Sequence, residues 1–178
     1  MSTTPAPGQF GVVRTKGFVG WLIRQGTESQ VNHAFVVIDH DGTILEAQMG
    51  GAQYANLSKY DGYEIFYSEF ALPPEMCDPA SLRATAATLR GRPYNFVDIG
   101  VITLMTVFGL RWKWLQDIAR EEAYLICSQL VDVFFRLRSI ILYADGRPTG
   151  LVTPGDLAKL LMAGFDRAWT PSESAVKS

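Results

Sequence analysis

Three residues have the types and settings that could do covalent chemistry: Cys127, His33 and Glu46. Cys127 stands in the stretch Tyr124-Leu125-Ile126-Cys127-Ser128-Gln129-Leu130-Val131. Beyond it, Leu130, Val131, Phe134 and Leu137 recur at the spacing of one helix face. The cysteine is therefore predicted near a helix N-terminus, where unpaired N–H groups and the macrodipole favour a thiolate. A thiolate is the attacking form, so the placement suits a nucleophile. The competing reading is a small buried apolar residue, a common role for a free cysteine.

A nucleophilic thiolate needs a base in hydrogen-bond reach, and the base needs an orienting group. The chain has two histidines. His40 lies in an Asp39-His40-Asp41-Gly42 turn, where side chains are usually solvated. His33 opens the apolar stretch Asn32-His33-Ala34-Phe35-Val36-Val37-Ile38, which reads as a strand. Alone it could be a hydrogen-bonded core histidine.

Glu46 is a carboxylate inside the apolar strand Thr43-Ile44-Leu45-Glu46-Ala47, and a carboxylate there needs a reason. If residues 39–42 form a four-residue hairpin loop, Ile38 faces Thr43 and Phe35 faces Glu46. His33 and Glu46 then share a face as diagonal neighbours, with Cα atoms roughly 7–8 Å apart. An odd loop length would put them on opposite faces unless a bulge intervened. The alternative is a Glu46 that points to solvent from a one-sided sheet.

The chemistry these residues suggest is acyl transfer. His33 takes the proton of Cys127 or holds it in an ion pair. Glu46 accepts from the far ring nitrogen and fixes the tautomer. Backbone N–H groups of Cys127 and Ser128 at the helix start receive the oxyanion. His33 then protonates the leaving group.

The elements that must position these groups follow in chain order. A short strand is expected at 11–14 and a helix at 17–24. The hairpin strands are followed by two more, Ala52 to Leu57 and Tyr63 to Tyr67, with Lys59-Tyr60-Asp61-Gly62 between them. Pro79 to Leu89 is an alanine-rich helix closed by Gly91-Arg92-Pro93. Helices are expected at 98–108, at 112–123 and from Cys127 to Arg138. A last one runs from Leu157 to Ala163, with Thr153 as N-cap, Pro154 next and Asp156 three residues on. Residues 1–9 read as a loose arm, 10–168 as a single α+β domain and 169–178 as a polar tail.

Composition bounds the function. The 178 residues are 48% apolar and 19% charged, the balance of a globular domain. A net charge of -2 and only two short basic clusters, Arg111-Trp112-Lys113 and Arg136-Leu137-Arg138, give no footing for a nucleic-acid partner. Cys77 and Cys127 are too few for a disulfide scaffold, though they leave one pairing open. His33 and His40 with Asp39 and Asp41 match no zinc spacing, so no metal and no cofactor is expected. The first ten residues carry no apolar signal core, which leads to the expectation of a cytoplasmic protein, or one carried to a cell wall by other machinery such as a phage particle. The run Ile99 to Leu110 is too short to span a bilayer. It reads as a buried helix or, with the basic and aromatic residues that follow, as a weak membrane or cell-wall contact.

Asn-His-Ala-Phe-Val-Val-Ile, an Asp-Gly turn, Ile-Leu-Glu-Ala and, far downstream, Cys-Ser-Gln-Leu-Val resemble the circularly permuted branch of the NlpC-type papain-like cysteine hydrolases. In that branch the histidine strand precedes the cysteine helix. The resemblance extends to Val13-Arg14-Thr15 through Leu22-Ile23-Arg24, to Gly91-Arg92-Pro93-Tyr94-Asn95 and to Thr153-Pro154-Gly155-Asp156-Leu157-Ala158, roughly residues 10–160. It implies a papain-like antiparallel sheet packed against helices, with the cysteine opening a helix in the C-terminal half. It also implies a Cys-His-polar triad in which Cys127 matches the nucleophile, His33 the base and Glu46 the third position. Gln129 stands where many relatives have Glu. The implied function is a thiol hydrolase cleaving an amide, such as a peptidoglycan-type peptide, through a thioester acyl-enzyme. Alternatives are an acyltransferase or lipid-ester hydrolase of the lecithin retinol acyltransferase type, and a binding module without catalysis. The expected partner is a small peptide or acyl substrate.

Overall fold

The computed structural model describes residues 5–16, 29–48, 51–68, 74–92 and 127–162. The helices expected at 17–24, 98–108 and 112–123, the apolar run Ile99 to Leu110, Tyr94, Tyr124 and the C-terminal tail lie outside these residues.

Among the described residues, five strands form one antiparallel sheet: β1 (Phe10–Val13), β2 (His33–Val37), β3 (Thr43–Gln48), β4 (Gly51–Asn56) and β5 (Ile65–Tyr67). Their order across the sheet is β4-β3-β2-β1-β5. Among the described residues there are three α-helices, α1 (Pro79–Leu89), α2 (Cys127–Arg136) and α3 (Pro154–Met162). The chain is thus α+β. No described helix is long and apolar enough to cross a membrane.

Alternation along the strands gives the sheet two distinct faces. Phe10, Val12, Ala34, Val36, Leu45 and Ala47 point one way, into a core with Leu82, Ala86 and Leu89 of α1, Leu130, Val131, Phe134 and Phe135 of α2, and Leu157 of α3. Phe10 meets Phe135 edge to face at 5.9 Å, a favoured arrangement of two ring quadrupoles. Val13, Phe35, Val37 and Ile44 point the other way and pack around Tyr60. Tyr60 ends a 3-10 turn, Leu57–Tyr60, on the link between β4 and β5. Residues Gly8 and Gln9 extend the pairing past β1, through Gly8 N–H to the Val37 carbonyl and Val37 N–H to the Gln9 carbonyl, both 2.8 Å.

The β2–β3 hairpin has the four-residue loop expected from Asp39-His40-Asp41-Gly42. Ile38 N–H donates to the Thr43 carbonyl at 2.8 Å, and Gly42 takes a φ of +83°, which glycine adopts at no steric cost. Phe35 then pairs with Glu46.

The helix ends follow their sequence signals. Asp78 accepts from Ser81 N–H at 2.8 Å ahead of Pro79. At α3, Thr153 Oγ1 accepts from Asp156 N–H at 3.1 Å while Asp156 Oδ2 accepts from Thr153 N–H at 3.0 Å, a reciprocal cap. Helix α2 closes through Ser139 at φ 61°. Ser139 N–H bonds to the Arg136 carbonyl and Ile140 N–H to the Phe135 carbonyl, both at 2.9 Å. This is a Schellman closure, and it turns Ile140 back into the core.

Candidate active site

His33 is the first residue of β2, and its position is fixed by its neighbour. Asn32 is buried, and its amide holds Thr15 from both ends: Oδ1 accepts from Thr15 N–H at 2.8 Å, and Nδ2 donates to Thr15 Oγ1 at 2.6 Å. The start of β2 is thereby tied to the chain leaving β1. The His33 ring leaves the sheet on the Phe35 face, with 15% of its side chain exposed.

Glu46 is fully buried. Its Oε2 lies 2.9 Å from His33 Nε2 and also accepts from the Tyr60 hydroxyl. Its Oε1 accepts from Lys59 Nζ at 2.5 Å and from Gln48 Nε2. Four donors on one carboxylate resolve the reason its burial demands. Burial pushes the Glu46 carboxyl up. The hydrogen bonds from His33, Lys59 and Tyr60 outweigh it and hold the group down to about 2. Glu46 is therefore an anion across the physiological range.

Cys127 opens the described part of α2. Ser128 Oγ donates to the Val152 carbonyl at 2.6 Å, and Gln129 Nε2 donates to the Gly150 carbonyl at 2.8 Å. These two bonds seat the first turn of the helix against the Thr149–Leu151 turn that precedes α3. Cys127 belongs to the helix side of the sheet and His33 to the other. The two meet where β2 begins, with Cys127 close enough to the His33 ring to act on its charge. With Nε2 committed to Glu46, Nδ1 is the ring nitrogen left for sulfur.

Burial would lower the proton affinity of His33. The influence of Cys127, followed by that of Glu46, reverses this and raises it to about 9. A protonated imidazole between a cysteine sulfur and a carboxylate is the arrangement that activates a thiol. In that form the sulfur can attack and the ring can return its proton to a leaving group.

Cys77 and Cys127 form no disulfide, so the pairing left open by the sequence is not made. His40 stays in its exposed turn, its backbone N–H bonded to Asp39. The structure also brings in three residues that sequence reasoning passed over: Gln48, Lys59 and Tyr60. Gln48 could have been found, because it lies two positions along β3 from Glu46 and so shares its face. Lys59 and Tyr60 read as a loop. Their only signal was that a buried carboxylate needs donors from somewhere.

No protein-family model matches the chain, and no curated protein does. Among solved structures, the chain is similar to the crystal structure of metalloprotein YiiX from Escherichia coli O157:H7, designated DUF1105. The two share 18% identity over 76% of this chain and 67% of that one, with a TM-score of 0.53. The likeness is one of fold. Among the described residues, no group of three or more His, Cys, Asp or Glu side chains is arranged to hold a metal ion. Glu46 already carries the Lys59 ammonium on one oxygen.

Proposed function

We propose that the chain is a thiol hydrolase of the circularly permuted papain-like kind, cleaving an amide such as that of a peptidoglycan-type peptide. The observation that carries this reading is a single relay. Cys127 acts on the charge of the His33 ring, and Nε2 of that ring sits 2.9 Å from a buried, ionised Glu46. In the proposed reaction Cys127 attacks the acyl carbon, and the new C–S bond forms as electrons move onto the carbonyl oxygen. Backbone N–H groups of Cys127 and Ser128 stabilise that oxyanion. The tetrahedral species collapses, the C–N bond breaks, and His33 delivers its proton to the amine. Water then attacks the thioester, His33 takes the water's proton, and the acid leaves. Glu46 keeps the ring oriented and its charge balanced throughout, without itself taking the proton.

The test is a search for the thioester. The protein is mixed with peptidoglycan-derived peptide amides and, separately, with acyl esters, quenched in acid, and weighed intact. The expected result is an acyl adduct on Cys127 from the peptide amides, absent in Cys127→Ala and released by hydroxylamine. Turnover that persists in Cys127→Ala would reject the scheme. Adducts from the esters alone would move the reading to lipid acyl transfer.

A further inference from the structure

The four-donor setting of Glu46 does more than satisfy a buried carboxylate. Lys59 and Tyr60 come from one 3-10 turn, outside the three elements that supply Cys127, His33 and Glu46. Asn56 holds that turn in place by accepting from Ser58 N–H at 3.0 Å. The Tyr60 ring is stacked on Phe35, with centroids 5.4 Å apart and planes 9° from parallel. Its hydroxyl is thus aimed at Glu46 by packing. The Lys59 ammonium lies on the oxygen of Glu46 that His33 does not use.

We propose that Lys59 and Tyr60 are positioning residues of this site, and that the Lys59 charge sets how tightly His33 holds its proton. The proposal rests on the reading of Cys127, His33 and Glu46 as a hydrolytic triad. A carboxylate bonded only to His33 would make a deep ion pair with the imidazolium, which would then surrender its proton reluctantly to a leaving group. A second cation on the same carboxylate divides its negative charge. The ring stays oriented, and its proton becomes easier to release. The titratable and charged groups that face the pair are Cys127 from α2, Glu46 from β3, and Lys59 and Tyr60 from the turn, with Tyr63 beyond Tyr60. Tyr60 is held well above the ordinary phenol range by burial and by the Glu46 hydrogen bond and charge. It is a neutral donor at working pH, so Lys59 is the group that carries the compensating charge.

The sign of the effect separates this role from a structural one. Removing a cation beside a buried anion raises the proton affinity of the partner imidazole. Loosening the site instead lets His33 relax towards its ordinary value near 6.5. The experiment is an NMR titration of the full chain at low ionic strength, where screening is weak. With two histidines in the sequence, a His40→Gln control assigns both rings. In Lys59→Met the His33 midpoint is expected to rise by about half a pH unit, roughly threefold in proton affinity, as suits a partly exposed cation. Lys59→Arg restores the charge and is expected to keep the wild-type midpoint. Tyr60→Phe keeps the stacked ring and removes only the hydroxyl, and it too is expected to raise the midpoint. A midpoint in Lys59→Met that is unchanged or lower would overturn the proposal. The thioester search is a separate readout: an upward shift without any acyl adduct strikes the hydrolase reading and leaves the tuning standing, whereas an adduct without the shift does the reverse.

Discussion

Nε2 of His33 and Oε2 of Glu46 lie 2.9 Å apart across the β2–β3 hairpin, two residues along the strand from the direct Phe35–Glu46 pair. The contact exists because the hairpin register puts both side chains on the face away from α2. A glutamine at position 46 would keep the shape and lose the charge. It would also bring an NH2 donor into a pocket already crowded with donors from His33, Gln48, Lys59 and Tyr60. Glu46→Gln is therefore expected to slow acylation of Cys127 by about 10²–10⁴-fold, the scale of a lost base orientation. The His33 midpoint should fall from about 9. Single-turnover acylation and the NMR titration check the two halves. A rate within threefold of wild type would remove Glu46 from the relay.

The same pair makes stability depend on pH in a defined window. Glu46 is held at about 2, below its ordinary 4.5, so its contribution is complete above 4.5 and is lost as pH falls towards 2. His33 is raised from 6.5 to about 9, so its contribution is complete below 6.5 and is lost as pH rises through 9. The two describe one ion pair and count once. The stability difference between wild type and Glu46→Gln is expected to be largest, about 3 kcal/mol, on a plateau from pH 4.5 to 6.5. It should shrink on both sides. Urea unfolding at a series of pH values measures it, and a difference that stayed flat from pH 3 to pH 9 would contradict the assigned charge states.

How far the sequence disclosed this arrangement depends on whether each signal is local. The hairpin was legible because Asp39-His40-Asp41-Gly42 has turn chemistry and the flanking residues alternate, and one loop length fixes which side chains share a face. The bounds of α1 were legible because Pro79 and Gly91-Arg92-Pro93 punctuate its ends, whereas the Asp78 cap appears only in the structure. The Cys127 helix was legible from periodicity, but its end was expected at Arg138 and comes at Arg136, where the turn through Ser139 closes it. The clamp on Glu46 was not. Lys59 and Tyr60 reach the carboxylate only after β4 has been laid beside β3 and the chain has turned back over the sheet. No spacing in the sequence encodes that return. Which face carries the helices was hidden as well, since both faces of β2 are apolar: Ala34 and Val36 on one, Phe35 and Val37 on the other.

The cap on α3 offers a check away from the His33–Glu46 pair. Thr153 Oγ1 both accepts from Asp156 N–H at 3.1 Å and donates to Asp156 Oδ2 at 2.7 Å. Asp156 is in turn tied to Arg147 at 3.2 Å. Thr153→Ala removes the side-chain half of this box and is expected to cost about 1 kcal/mol. In urea the midpoint should drop with the slope unchanged. The turn that seats Ser128 and Gln129 lies immediately before this cap, so the alkylation rate of Cys127 in Thr153→Ala reports whether the loss spreads to α2, and it is expected to match wild type. An unchanged alkylation rate at the lower stability would confine the effect to the helix end.

Gly11 is where packing and the relay are joined. It pairs directly with Phe35, and the Phe35 ring lies over it. A Cβ at position 11 would sit 2.5 Å from Phe35 Cζ. The ring has nowhere to retreat, because it is fully buried and its other neighbours are Tyr60, stacked at 5.4 Å, and Tyr67, edge-on at 6.3 Å. Pushing Phe35 therefore pushes Tyr60, whose hydroxyl is bonded to Glu46. Gly11→Ala is expected to destabilise the chain by about 1–3 kcal/mol, the usual cost of overpacking, and to disturb the His33 titration although the methyl group lies on a different strand. Phe35→Leu should also destabilise. Combining the two should cost less than the sum, since the smaller side chain at 35 makes room for the methyl at 11. A double-mutant cycle in urea measures that coupling, and strictly additive losses would show that Gly11 does not act through the Phe35 ring.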